Sequence, residues 1–132
     1  MAEETELCTL LRAMQPVLQE EIYVFARTPW VDGGSTLHPI GLFREKEGLT
    51  LILPQSQADA SGLSYTTVFA MITLSVHSSL EAVGFLAAIT THLASHNISV
   101  NPVSAFYHDH LFVPVAKAQT AMALLHGLSG DA

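Results

Sequence analysis

Val83-Gly84-Phe85-Leu86-Ala87-Ala88-Ile89-Thr90-Thr91-His92-Leu93-Ala94-Ser95-His96-Asn97-Ile98-Ser99-Val100 is the stretch whose reading decides the fold. Val83, Leu86, Ala87, Thr90 and Leu93 recur at helical spacing, with Phe85 and Ile89 alongside, and Asn97 closes the helix. Upstream, Thr66 to His77 alternates as a strand does. Val68, Ala70, Ile72, Leu74 and Val76 fall on one face, and Phe69, Met71, Thr73, Ser75 and His77 on the other. Ser78 or Ser79 is placed to cap the helix, which the spacing carries to about Ser95. Downstream, Ile98 to Tyr107 reads as a strand, His108-Asp109-His110 as a turn, and Leu111 to Val115 as a returning strand. Val115 to His126 is a last helix, with Ala118, Ala121, Met122 and Leu125 in its stripe and Gly127 as terminator. The order is β-α-β-β-α.

The first half reads less clearly. Thr5 is a candidate N-cap for a helix whose stripe is Leu7, Leu10, Leu11 and Met14, and Pro16 marks its end. Cys8 sits beside that stripe and is expected to be a packed thiol. Glu20 to Ala26 alternates as a strand, with Ile22, Val24 and Ala26 opposed to Tyr23 and Phe25. Thr28 to His38, with Pro29, Asp32, Gly33, Gly34 and Ser35, is a loop. Pro39 to Arg44 and Leu49 to Leu53 flank Glu45-Lys46-Glu47-Gly48, a hairpin signature in which Gly48 can take a positive φ. Pro54 opens a short helix to Ala60, and Gly62 stops it.

The halves repeat coarsely. Leu42-Phe43-Arg44, a charged turn and Leu49 to Pro54 lead into a helix. Ala105-Phe106-Tyr107, a charged turn and Leu111 to Pro114 lead into another. Each Pro is followed four residues later by an Ala, Ala58 or Ala118. The expected fold class is α+β. Two tandem ferredoxin-like units, residues 1–62 with an extra leading helix and residues 63–132, would each set helices on one face of an antiparallel sheet.

Composition narrows the function. Of 132 residues, 49% are hydrophobic and 13% charged, with a formal net charge of −7. The charged share is about half of the roughly 25% usual in soluble domains. An acidic chain poor in Lys and Arg lacks the electrostatic footprint of a nucleic-acid binder, and a chain this apolar is not disordered. From Ser61 onward only Glu81, Asp109, Lys117 and Asp131 are charged. The plain reading of this half is a surface rich in Ser, Thr, His and Asn; the sharper one, since interface cores are depleted in charge, is that another chain covers part of it, which sets a homodimer expectation. The single cysteine excludes an intrachain disulfide, the acidic start has the wrong sign for a signal or transit peptide, and no apolar run is long enough to span a bilayer. These features set a cytoplasmic expectation without membrane attachment.

Gly84 at the head of a helix of small and aliphatic residues, followed by the turn into Asn97-Ile98, resembles the ACT-domain pattern. Thr73-Leu74-Ser75-Val76-His77-Ser78-Ser79-Leu80-Glu81-Ala82-Val83-Gly84 and Tyr107-His108-Asp109-His110-Leu111-Phe112-Val113-Pro114 are similar to a small bacterial subgroup of paired, stand-alone ACT-like domains. Ser79-Leu80-Glu81-Ala82 stands where many ACT domains carry Asp-x-Pro, so their usual effector loop is not reproduced. In the first half, Thr28 to His38 replaces the helix expected between the first two strands. The resemblance implies a regulatory protein, not a catalyst, that binds a small ligand, often an amino acid, between ACT units.

The ligand is expected at the strand-to-helix junction of His77, Ser78, Ser79, Glu81, Val83, Gly84 and Phe85. Backbone N–H groups at a helix start attract a carboxylate, and Glu81 can take an amino group. The plainer reading of the same residues is an ordinary helix cap. His108, Asp109 and His110 are further contact candidates. Two His at i and i+2 in an extended segment share a side and could hold Zn²⁺, which opens the alternative of a metal-dependent enzyme, while turns favour Asp and His on their own account. His92 and His96 are i, i+4 on a helix but lack the intervening Glu and a third ligand. No phosphate loop or dinucleotide fingerprint occurs, so no cofactor is expected. A purely structural interaction module is the third reading.

Overall fold

The computed structural model describes residues 2–29, 37–76 and 83–130, residues 2–6 in backbone only. Among the described residues, four α-helices, α1 (Ala2–Ala13), α2 (Gln55–Ala60), α3 (Phe85–Ala94) and α4 (Ala118–Leu128), accompany six strands. The strands are β1 (Pro16–Thr28), β2 (Gly41–Glu45), β3 (Gly48–Pro54), β4 (Val68–Leu74), β5 (Asn101–Ser104) and β6 (Asp109–Pro114). The chain forms two compact units, residues 1–20 with 70–132, and residues 21–69.

In the first unit the strands neighbour one another in the order β1-β4-β6-β5. The β-α-β-β-α run from β4 to α4 is thus completed by a strand from far upstream, Pro16 to Glu20. Gln15 accepts the amide of Ser75 at 2.8 Å where these two strands meet. Ala70, Ile72 and Leu74 of β4 and Leu111 and Val113 of β6 enter one core with Phe85, Ile89 and Leu93 of α3 and Ala118, Ala121 and Leu125 of α4. Leu7, Leu10 and Leu11 of α1 pack against it, and Met14 is buried within it. Burial of these faces is what holds helices of ten to twelve residues, too short to persist alone.

In the second unit the order is β2-β3-β1. β3 pairs antiparallel with both neighbours, Val24 facing Leu53 on one side and Leu42 facing Leu51 on the other. Val24, Ala26, Leu49, Leu51, Leu53 and Ala58 form its core. The β2–β3 hairpin turns over Lys46 and Glu47, with Glu45 opposite Gly48. Gly48 has φ +144°, and a Cβ there would lie 2.9 Å from the carbonyl oxygen of Thr28.

Several sequence expectations need correction. α3 does not start from a Ser78 or Ser79 cap. Gly84, at φ 93° and ψ −12°, is its N-cap, and a helix cannot run through a left-handed residue. The buried stripe of α3 is Phe85, Ile89 and Leu93, while Val83 is 83% exposed. Pro16 follows the end of α1 as expected and opens β1, which extends past both ends of Glu20–Ala26. β5 is only four residues, all exposed, because Ile98 to Val100 are spent leaving α3. His108-Asp109-His110 is not a turn. The chain reverses at Phe106 and Tyr107, Ala105 donates to the carbonyl of His108 at 3.0 Å, and Asp109 opens β6 opposite Ser104. α4 runs through Gly127 to Leu128, preceded by one 3-10 turn, and the left-handed residue past its end is Gly130. Cys8 is exposed, rotated out of the Leu7–Leu10–Leu11 contact.

Candidate functional site

The expected ligand junction lies between β4 and α3. His77, Ser78, Ser79 and Glu81 fall outside the described residues; Val83, Gly84 and Phe85 fall within them. Phe85 is buried and anchors the first turn of α3 in the core. The first intrahelical bond runs from the amide of Ala88 to the carbonyl of Gly84 at 2.9 Å. The amides of Phe85, Leu86 and Ala87 therefore have no partner within the helix. Among the described residues no side chain caps this end, and the first turn carries no acid. The helix dipole adds partial positive charge there, so the geometry favours an anion.

Left-handed φ costs an L-residue roughly 1–2 kcal/mol, so Gly suits position 84. Space is not the constraint, since the nearest atom to an added Cβ would be Cδ2 of Leu7 at an ordinary 3.6 Å.

The histidine candidates sit elsewhere in the same unit. Side chains alternate along β6, and Leu111 and Val113 enter the core under the helices. Asp109 shares that side, while His108, His110 and the buried Phe112 share the opposite, helix-free side. The two His do face one way, as their spacing requires, and Asp109 does not join them.

Two residues that the sequence reading did not single out complete the histidine group. Nε2 of Gln19 donates to Oγ1 of Thr73 at 3.0 Å, and Oγ1 of Thr73 lies 3.0 Å from Nδ1 of His110. Thr73 has one hydroxyl proton and already accepts from Gln19, so it is the natural donor to an unprotonated Nδ1. With the ring proton on Nε2, Nδ1 accepts from the Thr73 hydroxyl; with it on Nδ1, the ring donates to Oγ1. Burial, and then the neighbouring His108, push the His110 pKa below its usual range, with Asp109 acting against them. Nδ1 of His108 is buried with no hydrogen-bond partner among the described residues. The alternation of β4 already placed Thr73 off the core face. Gln19 gave no such signal, because the sequence reading began the strand one residue later.

Among the described residues no group of three or more His, Cys, Asp or Glu could hold a metal ion. His92 and His96 stack edge-to-face at 5.2 Å, and Nδ1 of His96 lies 3.1 Å from the carbonyl of His92 at the end of α3, so the pair finishes a helix. Among the described residues no helix is long and apolar enough to cross a membrane.

Comparison with known proteins gives the same architecture. ACT-domain family models match residues 2–70 and residues 66–127. A protein of unknown function from Vibrio cholerae shares 43% identity over 96% of this chain and 98% of its own, with a TM-score of 0.88. A protein from Agrobacterium tumefaciens is 17% identical over 88% of this chain and 89% of its own, with a TM-score of 0.67. The ligand-free regulatory subunit of aspartate kinase from Thermus thermophilus shares the fold at 8% identity, a TM-score of 0.64, and coverage of 86% and 95%. No curated protein matches the sequence. With both halves matched in tandem and a relative this similar along its length, the chain belongs to the ACT-domain family, whose role is regulatory.

Proposed function

We propose that this protein is a stand-alone regulatory sensor that binds a small molecule, an amino acid or a related metabolite, and acts without catalysis of its own. In this reading the strand-to-helix junction of His77, Ser78, Ser79, Glu81 and Gly84 holds the ligand, its carboxylate on the amides that open α3 and its amino group on Glu81. The observation that supports this most is the start of α3, a left-handed Gly84 followed by amides that no described side chain caps. His108, just before β6, and Asp109 and His110, on β6, are further ligand contacts in this reading. The working form in this reading is a cytoplasmic homodimer. The shortage of charge after Ser61 favours a covered surface, and ligand binding would shift the population of packed states.

A thermal-shift screen of the twenty amino acids tests the reading. A ligand at a hundred times its Kd stabilises the folded chain by roughly 2.7 kcal/mol. The shift disappears in Glu81→Ala and Gly84→Val. A flat response to all twenty overturns the amino-acid assignment, and a monomer mass by light scattering at micromolar concentration overturns the dimer.

A further inference from the structure

Arg27, Glu45 and Glu47 meet around a cavity in the second unit. Arg27 is the penultimate residue of β1 and lies opposite Thr50 of β3. Glu45 ends β2, and Glu47 is in the hairpin turn. With Gly48 and Thr50 they line a cavity of about 430 Å³, inside the range of roughly 300–1,000 Å³ common for small-molecule sites. The positive φ of Gly48 and its approach to the Thr28 carbonyl let the hairpin close against the end of β1, so part of the wall is main chain. The hydroxyl of Thr50 donates to the Glu45 carboxylate and holds that side chain at the rim. Among the described residues, neither Arg27 nor Glu47 is engaged in an ion pair.

Opposite charges that surround a space of this size without bridging it leave room for a molecule carrying the complementary set. Among the described residues, the one cation and two anions of the lining call for one anion and two cations. We propose that this cavity is a binding site for a small diamino carboxylic acid, its carboxylate on Arg27 and its ammonium groups on Glu45 and Glu47. The guanidinium fork matches a carboxylate through two parallel hydrogen bonds, and an ammonium is a compact donor suited to a carboxylate oxygen. A diamine leaves Arg27 unmatched, and a dicarboxylate sets like charges together, so both are discriminated against. This site is independent of the α3 reading. It lies wholly within residues 27–50, and each can fail without the other.

Calorimetric titration of the full chain with L-ornithine, putrescine and glutarate tests it. L-Ornithine is expected to bind one molecule per chain, and putrescine and glutarate about tenfold or more weaker, the scale of one lost charge-assisted contact. Arg27→Ala and Glu47→Gln each weaken ornithine binding by a similar factor. Both side chains are exposed, so an unchanged melting temperature confirms that the variants stay folded. Gly84→Val leaves ornithine binding intact. No ornithine binding at millimolar concentration, equal binding of putrescine, or undiminished binding in both cavity variants overturns the proposal. Ornithine binding lost in Gly84→Val but kept in Arg27→Ala also overturns it and assigns the response to α3.

Discussion

The hydroxyl of Thr73 lies 3.0 Å from Nδ1 of His110, joining β4 to β6 on the side of the sheet away from the helices. Thr73 is buried and is itself anchored by Gln19, so the hydroxyl is not free to follow a change in the ring. Burial first, and then His108, lower the His110 pKa from 6.5. The sign of the stability effect follows. The unfolded chain binds its proton at higher pH than the folded one, so stability rises with pH between the folded pKa and 6.5. This contribution is complete above 6.5 and is lost as pH falls through that window. An NMR titration should place His110 below 6.5. Urea unfolding should show stability falling from pH 7.5 to pH 5, and a smaller fall when His110 is replaced by Gln.

Thr73→Val removes the donor to Nδ1 and leaves the Gln19 amide without its acceptor. A net loss of about 1–2 kcal/mol is expected from a broken buried hydrogen bond. Where the hydroxyl donates to Nδ1 the bond favours the neutral ring, and its loss should then move the His110 pKa up. Thr73→Ser keeps the hydroxyl and should keep the depressed pKa. A Val variant whose His110 titrates as in the parent would show that the bond has no such role. His108→Ala should also raise the His110 pKa by removing the neighbouring positive charge.

Two glycines with positive φ should respond differently to alanine. At Gly84 only the backbone resists, because the nearest atom to the new Cβ is a leucine methyl at 3.6 Å. Gly84→Ala should cost roughly 1–2 kcal/mol. At Gly48 the Cβ would meet a main-chain carbonyl at 2.9 Å in addition to an unfavourable φ, so Gly48→Ala should cost clearly more. Chemical denaturation of the two variants checks the ranking. Equal losses would mean that the β1–β3 approach relaxes freely.

What could be read from the sequence follows the range of the interactions that set each feature. The Pro54 and Pro114 repeat is local, and both residues adopt nearly the same backbone, φ −57° and ψ 140° against φ −55° and ψ 137°, with Ala58 and Ala118 buried behind them. The hairpin around Gly48 and the stop at Gly62 are local in the same way and stand where their residues placed them. The start of α3 was misplaced because Ser78 and Ser79 satisfy capping preferences as well as Gly84 does, and only the left-handed backbone decides between them. The stripe of α3 was rotated because small residues all round that helix leave the period ambiguous. The Gln19–Thr73–His110 chain spans 54 and 37 residues in sequence, and nothing local announces it.

Asn97 ends α3 at φ 61°, with two bonds closing the motif. The amide of Asn97 reaches the Ala94 carbonyl at 2.9 Å, and that of Ile98 reaches the Leu93 carbonyl at 3.1 Å. This is the Schellman arrangement, and its usual apolar contact is available because Leu93 and Ile98 are both buried in the first unit's core. Asn97→Gly should be neutral or mildly stabilising, since Gly enters the left-handed region without penalty, whereas Asn97→Val, β-branched, should cost at least 1–2 kcal/mol, by order of magnitude. Leu93→Ala should cost about 2–5 kcal/mol, because Leu93 is fully buried and its loss leaves a cavity beneath the cap. The two sites touch through the same turn, so a double variant, Leu93→Ala with Asn97→Val, should lose less than the sum of the single losses. Full additivity in urea denaturation would show that the cap holds without its apolar contact.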